Sequence, residues 1–221
     1  MKFPVMLKKG IHILIFSMLF CLYGPCLAQQ QWELIKNKEG IEVYTRTNNV
    51  MSFKEFRGKM IINSRVSDFM SVLYDVEGLV SWGYNLTIAR LLERRADSVQ
   101  IYYAVAKSPW PYKDRDGVYL NKFSWDEQTK TLLVDIELLE EPIEAEGNFV
   151  RIGGYGSWKV KELSSEEIEI VFQMQIDPRG SIKAWMANMF ASDTPFYTLK
   201  GLKEALKMEK YKGKTYPLLQ N

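Results

Sequence analysis

The sequence predicts an α+β fold in which a curved antiparallel β-sheet wraps around a long C-terminal α-helix. Between residues 41 and 177, most segments alternate apolar and polar residues, which is typical of strands that bury one face. Residues 182–206 instead carry apolar residues at helical spacing. A twisted sheet of this size curls, so a helix laid in its concave side need not fill the space between them.

The chain shows no internal repeat and no linker, so its elements are assigned to one domain. Asn48 and Asn49 supply the turn signal between the first two strands, which are therefore expected to form a hairpin. In chain order, the predicted elements are a helix over 30–37, strands over 41–47 and 52–63, a helix over 64–79, strands over 85–94, 98–107, 117–125, 131–139, 149–163 and 166–177, and a helix over 182–206.

The helix predicted over residues 64–79 has signals at its start and along one face. Ser64 is the expected N-cap, and Asp68 lies near the positive end of the helix dipole. Apolar residues at spacings of three and four predict a single buried face. That face consists of Val66, Phe69, Met70, Leu73 and Val76.

The strands that follow are expected to form a meander with one buried face per strand. In strand 98–107 this face is expected to consist of Val99, Ile101, Tyr103 and Val105. In strand 166–177 it is expected to consist of Ile168, Ile170, Phe172, Met174 and Ile176. Gln173 and Gln175 alternate with the latter face and are expected to face solvent, with the cavity as the alternative.

The C-terminal segment changes to helical spacing. Its first apolar stripe consists of Ile182, Trp185, Met186, Met189 and Phe190. Residues 192–195 are expected to interrupt the helix, with Pro195 in the first turn of its second part. The stripe continues with Phe196, Leu199, Leu202 and Leu206. Gly213 and Pro217 mark a C-terminal tail over residues 213–221.

The N-terminus has the layout of a secretory signal peptide. Three lysines form a basic start, residues 11–20 form a short apolar run, and Cys26 and Ala28 are the small residues that a cleavage site needs. We therefore expect residues 1–28 to be removed and the protein to be exported to the periplasm or secreted. The alternative is an uncleaved membrane anchor through residues 11–28.

The mature domain, expected over residues 29–212, would contain neither His nor Cys, because His12, Cys21 and Cys26 all lie in the predicted signal peptide. Their loss excludes imidazole and thiol catalysis, disulfide bonds and His/Cys zinc sites. Removing three of the 29 lysines and arginines leaves 26 against 27 acids, a net charge of −1. This charge does not predict the basic surface that nucleic-acid binding requires. We expect no metal, no cofactor, no nucleic-acid partner and a monomer.

Residues 108–119 contain a motif in which Pro109, Trp110 and Pro111 precede Arg115 and Asp116. This motif resembles the signature of the START (StAR-related lipid transfer) family, and the likeness extends over about residues 30–210. Three further matches occur in the family's order. They are the strand segment 41–44, Trp82 after the first long helix, and the segment 177–185 that enters the C-terminal helix.

The resemblance implies a helix-grip fold with an apolar cavity that binds one lipid or sterol-like molecule, and it implies no metal, cofactor or obligatory chemistry. The chain departs from the family pattern in carrying Lys183 in place of a proline, Gly83 after Trp82, and no arginine just before Trp82. The departures beside Trp82 lie near head-group contacts of some phospholipid- and ceramide-binding members. They disfavour a phosphocholine or ceramide ligand.

The candidate cavity residues come from the motif and from the apolar faces. They are Trp82, Tyr103, Trp110, Arg115, Asp116, Phe172, Met174, Trp185, Met186, Met189 and Phe190. Two interpretations stay open for Arg115. It contacts a ligand head group, or it pairs with Asp116 and the local backbone to anchor a strand. Trp110 is either a core anchor or a lid residue.

These observations predict non-enzymatic binding of a lipid or other hydrophobic molecule, for transfer or for sensing, with transient membrane contact. One alternative is an enzyme similar to the polyketide cyclase/aromatase relatives, which would use Asp, Glu, Lys, Tyr or Arg as acid and base. The other is a structural or interaction module whose apolar helix stripe is ordinary core. A buried carboxylate in the cavity would favour the enzyme, and a solid interior would favour the module.

Overall fold

An antiparallel β-sheet forms most of this computed structural model, which describes residues 31–47, 53–140 and 147–220. The chain divides into two compact units, residues 1–31 and 32–221, and every element described here belongs to the second. The strands of the described residues are β1 (Glu33–Lys38), β2 (Ile41–Arg46), β3 (Glu55–Asn63), β4 (Leu86–Arg95), β5 (Val99–Ala106), β6 (Arg115–Asp126), β7 (Thr131–Leu139), β8 (Val150–Arg151), β9 (Gly153–Ser164) and β10 (Glu167–Asp177).

The strand order is β1-β2-β3-β10-β9-β7-β6-β5-β4, and every neighbouring pair along this path is antiparallel. β8 lies off this path and pairs in parallel with the start of β6. The pairing of β3 with β10 joins the first hairpin to the meander. The predicted antiparallel sheet is confirmed, and its strands agree with the predicted ones to within a few residues, except that strand 149–163 divides into β8 and β9.

Three α-helices accompany the sheet in the described residues, namely α1 (Val66–Tyr74), α2 (Leu79–Trp82) and α3 (Ala184–Ala205). α3 packs on β2, β3 and β10 and approaches the rest of the domain closely at two glycines. A Cβ atom at Gly58 would lie 2.6 Å from Leu199 Cδ1, and one at Gly201 would collide with the carbonyl oxygen of Trp82. Among the described helices, none combines the length and the apolar character that crossing a bilayer requires.

The main hydrophobic core lies between the sheet and the helices. α3 contributes Phe196, Leu199 and Leu202, and α1 contributes Phe69 and Met70, all of which are buried. These residues lie on the apolar faces that the sequence predicts. Their removal from water is the main stabilising contribution to the fold, at roughly 25 cal/mol per Å² of apolar surface.

Residues 30–37, predicted as a helix, form instead the edge strand β1 in their described part. β1 joins β2 through a two-residue turn at Glu39 and Gly40, whose φ angles are 57° and 78°. Positive φ at both turn positions matches the twist of a hairpin. β1 is mostly exposed, so its sequence carries no alternating apolar face. Backbone pairing with β2 therefore decides its conformation, against its local propensity.

The helix predicted over residues 64–79 is shorter in the structure, because α1 ends at Tyr74 and the separate short helix α2 begins only at Leu79. α1 ends before Asp75, whose carboxylate accepts a hydrogen bond from the backbone N–H of Gly78 at 3.1 Å. This bond stabilises the turn between the two helices. The prediction of Ser64 as the N-cap is also wrong, because Arg65 occupies that position in an extended conformation.

The predicted interruption of the C-terminal helix is wrong, since α3 continues through Pro195. Proline has no N–H group, so the helix loses one backbone hydrogen bond at this point. Tertiary packing supplies most helical stability in proteins. Here Ala191, Phe196 and Leu199 are buried around the proline and hold the helix together.

The predicted tail returns to the domain in its described part. The ring of Tyr216 packs edge-on against Tyr74 with centroids 5.1 Å apart, and its hydroxyl donates a hydrogen bond to Ser71 Oγ at 2.9 Å. Leu218 and Leu219 pack against the main core. The residues after α3 therefore cover α1 and contribute to stability.

Candidate ligand-binding cavity

A cavity of about 210 Å³ lies between the inner face of the sheet and α3. One wall is aromatic. Trp158 stacks on Phe172 with centroids 4.0 Å apart, Phe56 meets Phe172 edge-on at 5.5 Å, and Trp82 meets Trp158 edge-on at 6.4 Å. α3 adds Phe190 to the lining. Rigid aromatic rings offer a large apolar surface at a low cost in side-chain entropy.

Asn85 and Lys107 are the exposed residues among the described lining, which places the opening of the cavity beside the end of β5. We assign the half-buried lining residues Lys54, Ser108, Pro178 and Ile182 to the same opening, since Arg115, which pairs with Ala106 at the end of β5, bonds to Pro178. The formal charges of the lining are thus positive and lie toward the opening. Among the described lining residues there is no Asp, Glu, His or Cys, and no cluster of metal-binding side chains is found in the described ranges.

The inner face of β5 and β6 carries polar side chains deeper in the cavity. Tyr102 and Tyr119 face each other across the two strands, and their rings stack at 4.8 Å and 4°. Burial raises the pKa of Tyr119 to about 12 and raises the pKa of Tyr102 well above its usual value, so both phenols are neutral. Asn121, the next inner residue of β6, also lines the cavity.

Arg115 lines the cavity near its opening, but its guanidinium is directed to the backbone. Nε donates to the carbonyl of Pro178 at 3.2 Å, Nη2 donates to that of Arg179 at 3.1 Å, and Nη1 donates to that of Lys113. Desolvation by burial lowers the pKa of Arg115 from its ordinary value. Arg115 therefore ties the segment before α3 to the start of β6, which agrees with the anchoring interpretation.

Asp116 does not pair with Arg115, because adjacent residues of a strand point to opposite faces of the sheet. Its carboxylate accepts hydrogen bonds from the hydroxyl of Tyr103 at 3.2 Å and from Arg151 Nη2 at 2.8 Å. Tyr103 belongs to a second apolar cluster with Val105 and Val118. Neither Asp116 nor Tyr103 lines the cavity, so both are corrections to the predicted set.

The reason for this error is that β5 is covered on both faces. Tyr103 and its apolar neighbours lie on the outer face, where the second cluster buries them. The inner face carries Tyr102 and Ala104, and the facing strand contributes Tyr119 and Asn121. Alternation in the sequence predicts that two faces exist, but it does not tell which face a second cluster will cover.

Five of the eleven candidates line the cavity. They are Trp82, Arg115, Phe172, Met174 and Phe190. Their contact with a ligand stays a prediction. Met186 is buried but is not part of the lining, and the side chain of Met189 lies outside the described residues.

The two remaining candidates, Trp110 and Trp185, are surface residues. Trp110 is 92% exposed and Trp185 is 61% exposed, so neither fills the cavity in this structure. Trp110 lies in the proline-rich loop between β5 and β6, and Trp185 lies in the first turn of α3. Trp110 is thus not a core anchor.

Gln175 is buried, contrary to the expectation that it faces solvent. Its amide accepts a hydrogen bond from the Tyr155 hydroxyl at 2.8 Å and donates to the carbonyl of Phe53 at 3.3 Å. Gln173 is half-buried and bonds to Arg57 and Glu55. Both amides therefore stabilise the outer side of β10, since neither is part of the cavity lining.

A model of the START domain matches residues 22–212, which is most of the chain, so the protein belongs to the START domain family. The resemblance noted in the sequence is thereby confirmed. An uncharacterized protein of Pseudomonas aeruginosa is 30% identical over 189 residues, covering 84% of this chain and 91% of the relative. The phosphatidylcholine transfer protein of Bos taurus is 21% identical over 177 residues, covering 78% of this chain and 82% of the relative.

A solved structure supports the same assignment. The STAR-related lipid transfer protein of Xanthomonas axonopodis, determined as a fragment, aligns with a TM-score of 0.74 at 31% identity, covering 80% of this chain and 99% of that one. The fold is therefore the α+β helix-grip fold, with a curved antiparallel sheet and a C-terminal helix, as predicted.

Replacing Arg115 by Met removes the donors to three backbone carbonyls. We expect the free energy of unfolding to fall by about 2–4 kcal/mol, because these are charge-assisted bonds in a partly buried site. Urea denaturation measures this loss, and amide exchange should accelerate in residues 178–183. The control is Lys113→Met at an exposed side chain, with a change below about 0.5 kcal/mol. Equal losses in both variants would contradict the anchoring role.

Proposed function

We propose that this protein is a carrier that holds one lipid or similar hydrophobic molecule in the cavity, without changing it covalently. The supporting observation is an apolar, aromatic cavity beneath α3 in a START domain, a family in which the related Xanthomonas structure bears the name of a lipid transfer protein. Transfer of apolar ligand surface from water into such a cavity is favoured by roughly 25 cal/mol per Å².

The size of the cavity indicates that loading involves movement. Its volume of about 210 Å³ is below the roughly 300–1,000 Å³ of typical small-molecule sites. A whole lipid would therefore push parts of the lining apart. The segment of residues 178–183 is neither strand nor helix, and Arg115 ties it to the sheet. We expect ligand entry beside this segment.

The two alternative functions are less well supported. An acid–base enzyme needs a proton donor and acceptor at the ligand, and the described lining contains no carboxylate that would serve. A purely structural module would bury its inner face completely, whereas the inner face here lines a cavity. We therefore favour reversible binding, for transfer or for sensing.

We further propose that the opening of the cavity contacts a membrane during exchange. Trp110 lies two residues beyond Ser108 and Trp185 lies three residues beyond Ile182, and both Ser108 and Ile182 line the cavity at its opening. Exposed tryptophans favour the boundary between head groups and acyl chains. Lys107 adds positive charge there, which favours anionic lipid surfaces.

Export is proposed on the basis of the N-terminal sequence, with residues 1–28 as the removed signal. N-terminal sequencing of protein recovered from its host should find a chain that begins at or near Gln29. A chain that retains the apolar run of residues 11–20 and fractionates with membranes would support the anchored alternative.

Ala104→Phe is the variant that tests ligand binding, because it adds a ring inside the cavity at a buried lining position. Native mass spectrometry of protein purified from its own host should detect bound lipid in the wild type. We expect the variant to bind lipid at least about tenfold more weakly, which corresponds to about 1.4 kcal/mol and shows as a lower bound fraction. A wild type that is well folded and takes up no lipid would overturn the proposal.

The matched control is Ile61→Phe, which adds a ring at a residue that is 51% exposed and is not part of the lining. It should load like the wild type. Thermal unfolding of both variants checks that the loss of lipid at Ala104 does not come from loss of the fold.

Replacing Trp110 and Trp185 together by Ala tests the membrane contact. Flotation with vesicles of phosphatidylethanolamine and phosphatidylglycerol should show a roughly tenfold lower bound fraction for the double variant, because two interfacial anchors are removed. Leu163→Ala, at another exposed apolar residue, is the control and should bind normally. Unchanged flotation of the double variant would argue against docking through this end.

A further inference from the structure

The inner face of β5 and β6 places two pairs of polar, uncharged side chains at the deep end of the cavity. Gln100 faces Asn121 across the two strands, and Tyr102 faces Tyr119 one step closer to the opening. Gln100 and Asn121 are 1% and 3% exposed, and Gln100 Nε2 donates to the carbonyl of Leu73 in α1 at 3.2 Å. α1 therefore covers this end, and the two pairs form a polar group in an otherwise apolar interior.

Three buried side-chain polar atoms, two of them in the farther pair and one in α2, have no hydrogen-bond partner within the described part of the chain. They are Gln100 Oε1, Asn121 Oδ1 and Trp82 Nε1, each buried. Asn121 and Trp82 line the cavity. Folded proteins leave few buried polar atoms unpaired, because the loss of hydration is not compensated. The unpaired amide oxygen and indole N–H themselves have almost no accessible surface. A ligand that pushes the lining apart, and that both accepts and donates, can reach and satisfy them.

The pair nearer to the opening, Tyr102 and Tyr119, can also donate and accept hydrogen bonds without carrying a charge. The stacked phenols of Tyr102 and Tyr119 line the cavity, and burial raises the pKa of both, so each hydroxyl is a neutral donor and acceptor. None of the four facing side chains carries a formal charge. An ionised ligand group at this depth would lose its hydration without an opposite charge to replace it.

The formal charges lie at the other end of the same strands. The next facing pair toward the opening is Ala104, which lines the cavity, and Gly117, and Arg115 follows. Asn121 lies six positions beyond Arg115 on β6, which is about 20 Å along a strand. Lys54 also lies at the opening. The cavity therefore changes from neutral and polar at its closed end to apolar in its middle and cationic at its mouth.

We propose that the cavity takes a lipid that enters with an uncharged hydrogen-bonding end, a hydroxyl or a neutral carbonyl. This end bonds to Asn121 and Trp82 beside the phenols of Tyr102 and Tyr119. The assignment rests on the proposed function and narrows it to neutral amphiphiles. A lipid with a charged head group would enter tail-first and leave the polar atoms of the closed end unpaired.

Three probes with the same oleoyl chain test the assignment on the full domain. They are monooleoylglycerol, which is neutral, oleoyl-lysophosphatidylcholine and oleate. Competition in native mass spectrometry should show that monooleoylglycerol binds at least about tenfold more tightly than either charged probe. Equal or tighter binding of a charged probe would overturn this assignment and leave the proposed function intact. Failure of all three probes to bind would overturn both.

Asn121→Leu keeps the size of the side chain and removes its amide. We expect roughly 5- to 30-fold weaker binding of monooleoylglycerol and no change for lysophosphatidylcholine. Thermal stability of the ligand-free variant should be equal or higher, because a buried unpaired oxygen is removed. Asn148→Leu, at an exposed asparagine outside the cavity, is the matched control and should bind both probes normally.

Tyr119→Phe is the second variant, because it keeps the stacked ring and removes only the hydroxyl. It should weaken the binding of monooleoylglycerol and leave the binding of the charged probes unchanged. This variant tests the assignment independently of whether Asn121→Leu folds. An equal loss for neutral and charged probes in the folded variants would show a general effect on packing and would overturn the assignment.

Discussion

The packing of α3 across the inner face of the sheet is the interaction on which the rest of the structure depends. The helix comes close enough for Leu199 to press against Gly58, and for Gly201 to touch the backbone at Trp82. At these points there is no room for a larger residue. The same helix contributes Phe190 and Thr194, which lie closer to its start, to the cavity lining. The close contacts thus fix the helix, and the cavity remains beside it because the curved sheet does not follow the helix along its whole length.

The adjacent residues Arg115 and Asp116 anchor two loops to the same point of the sheet. Because they alternate on β6, Arg115 points inward and holds the segment before α3, while Asp116 points outward and holds Arg151 of β8. This geometry explains why a charged pair beside two prolines need not be a ligand site. The guanidinium of Arg115 also connects residues 178–183, beside the cavity opening, to β6. A movement of this segment is therefore coupled to the strand that carries Tyr119.

Much of the fold could be predicted from the sequence, because strand and helix periods differ and because the START motif is local. The elements that were predicted wrongly are those in which tertiary contacts outweigh local signals. β1 is an exposed edge strand with no alternating face, and only its pairing with β2 makes it a strand. α3 continues through Pro195 because its neighbours are buried on both sides of it. The candidate site was harder to predict. Tryptophan is a large apolar residue that is usually well buried, yet Trp110 and Trp185 lie on the surface.

The sequence by itself determined the family, most of the elements after β1 and the apolar inner face of β10. Only the tertiary structure decided which face of β5 lines the cavity. Tyr103 and Tyr102 are neighbours of the same type, and period-two alternation assigns them to opposite faces without saying which face is inside. A second cluster on the outer face buries Tyr103, so apolar character marks both faces, and the polar side chains of the inner face become visible as a site only when β6 lies beside them. The physical reason is that a strand covered on both sides buries apolar residues on both faces. The pattern of hydrophobic residues then does not show which face lines the cavity.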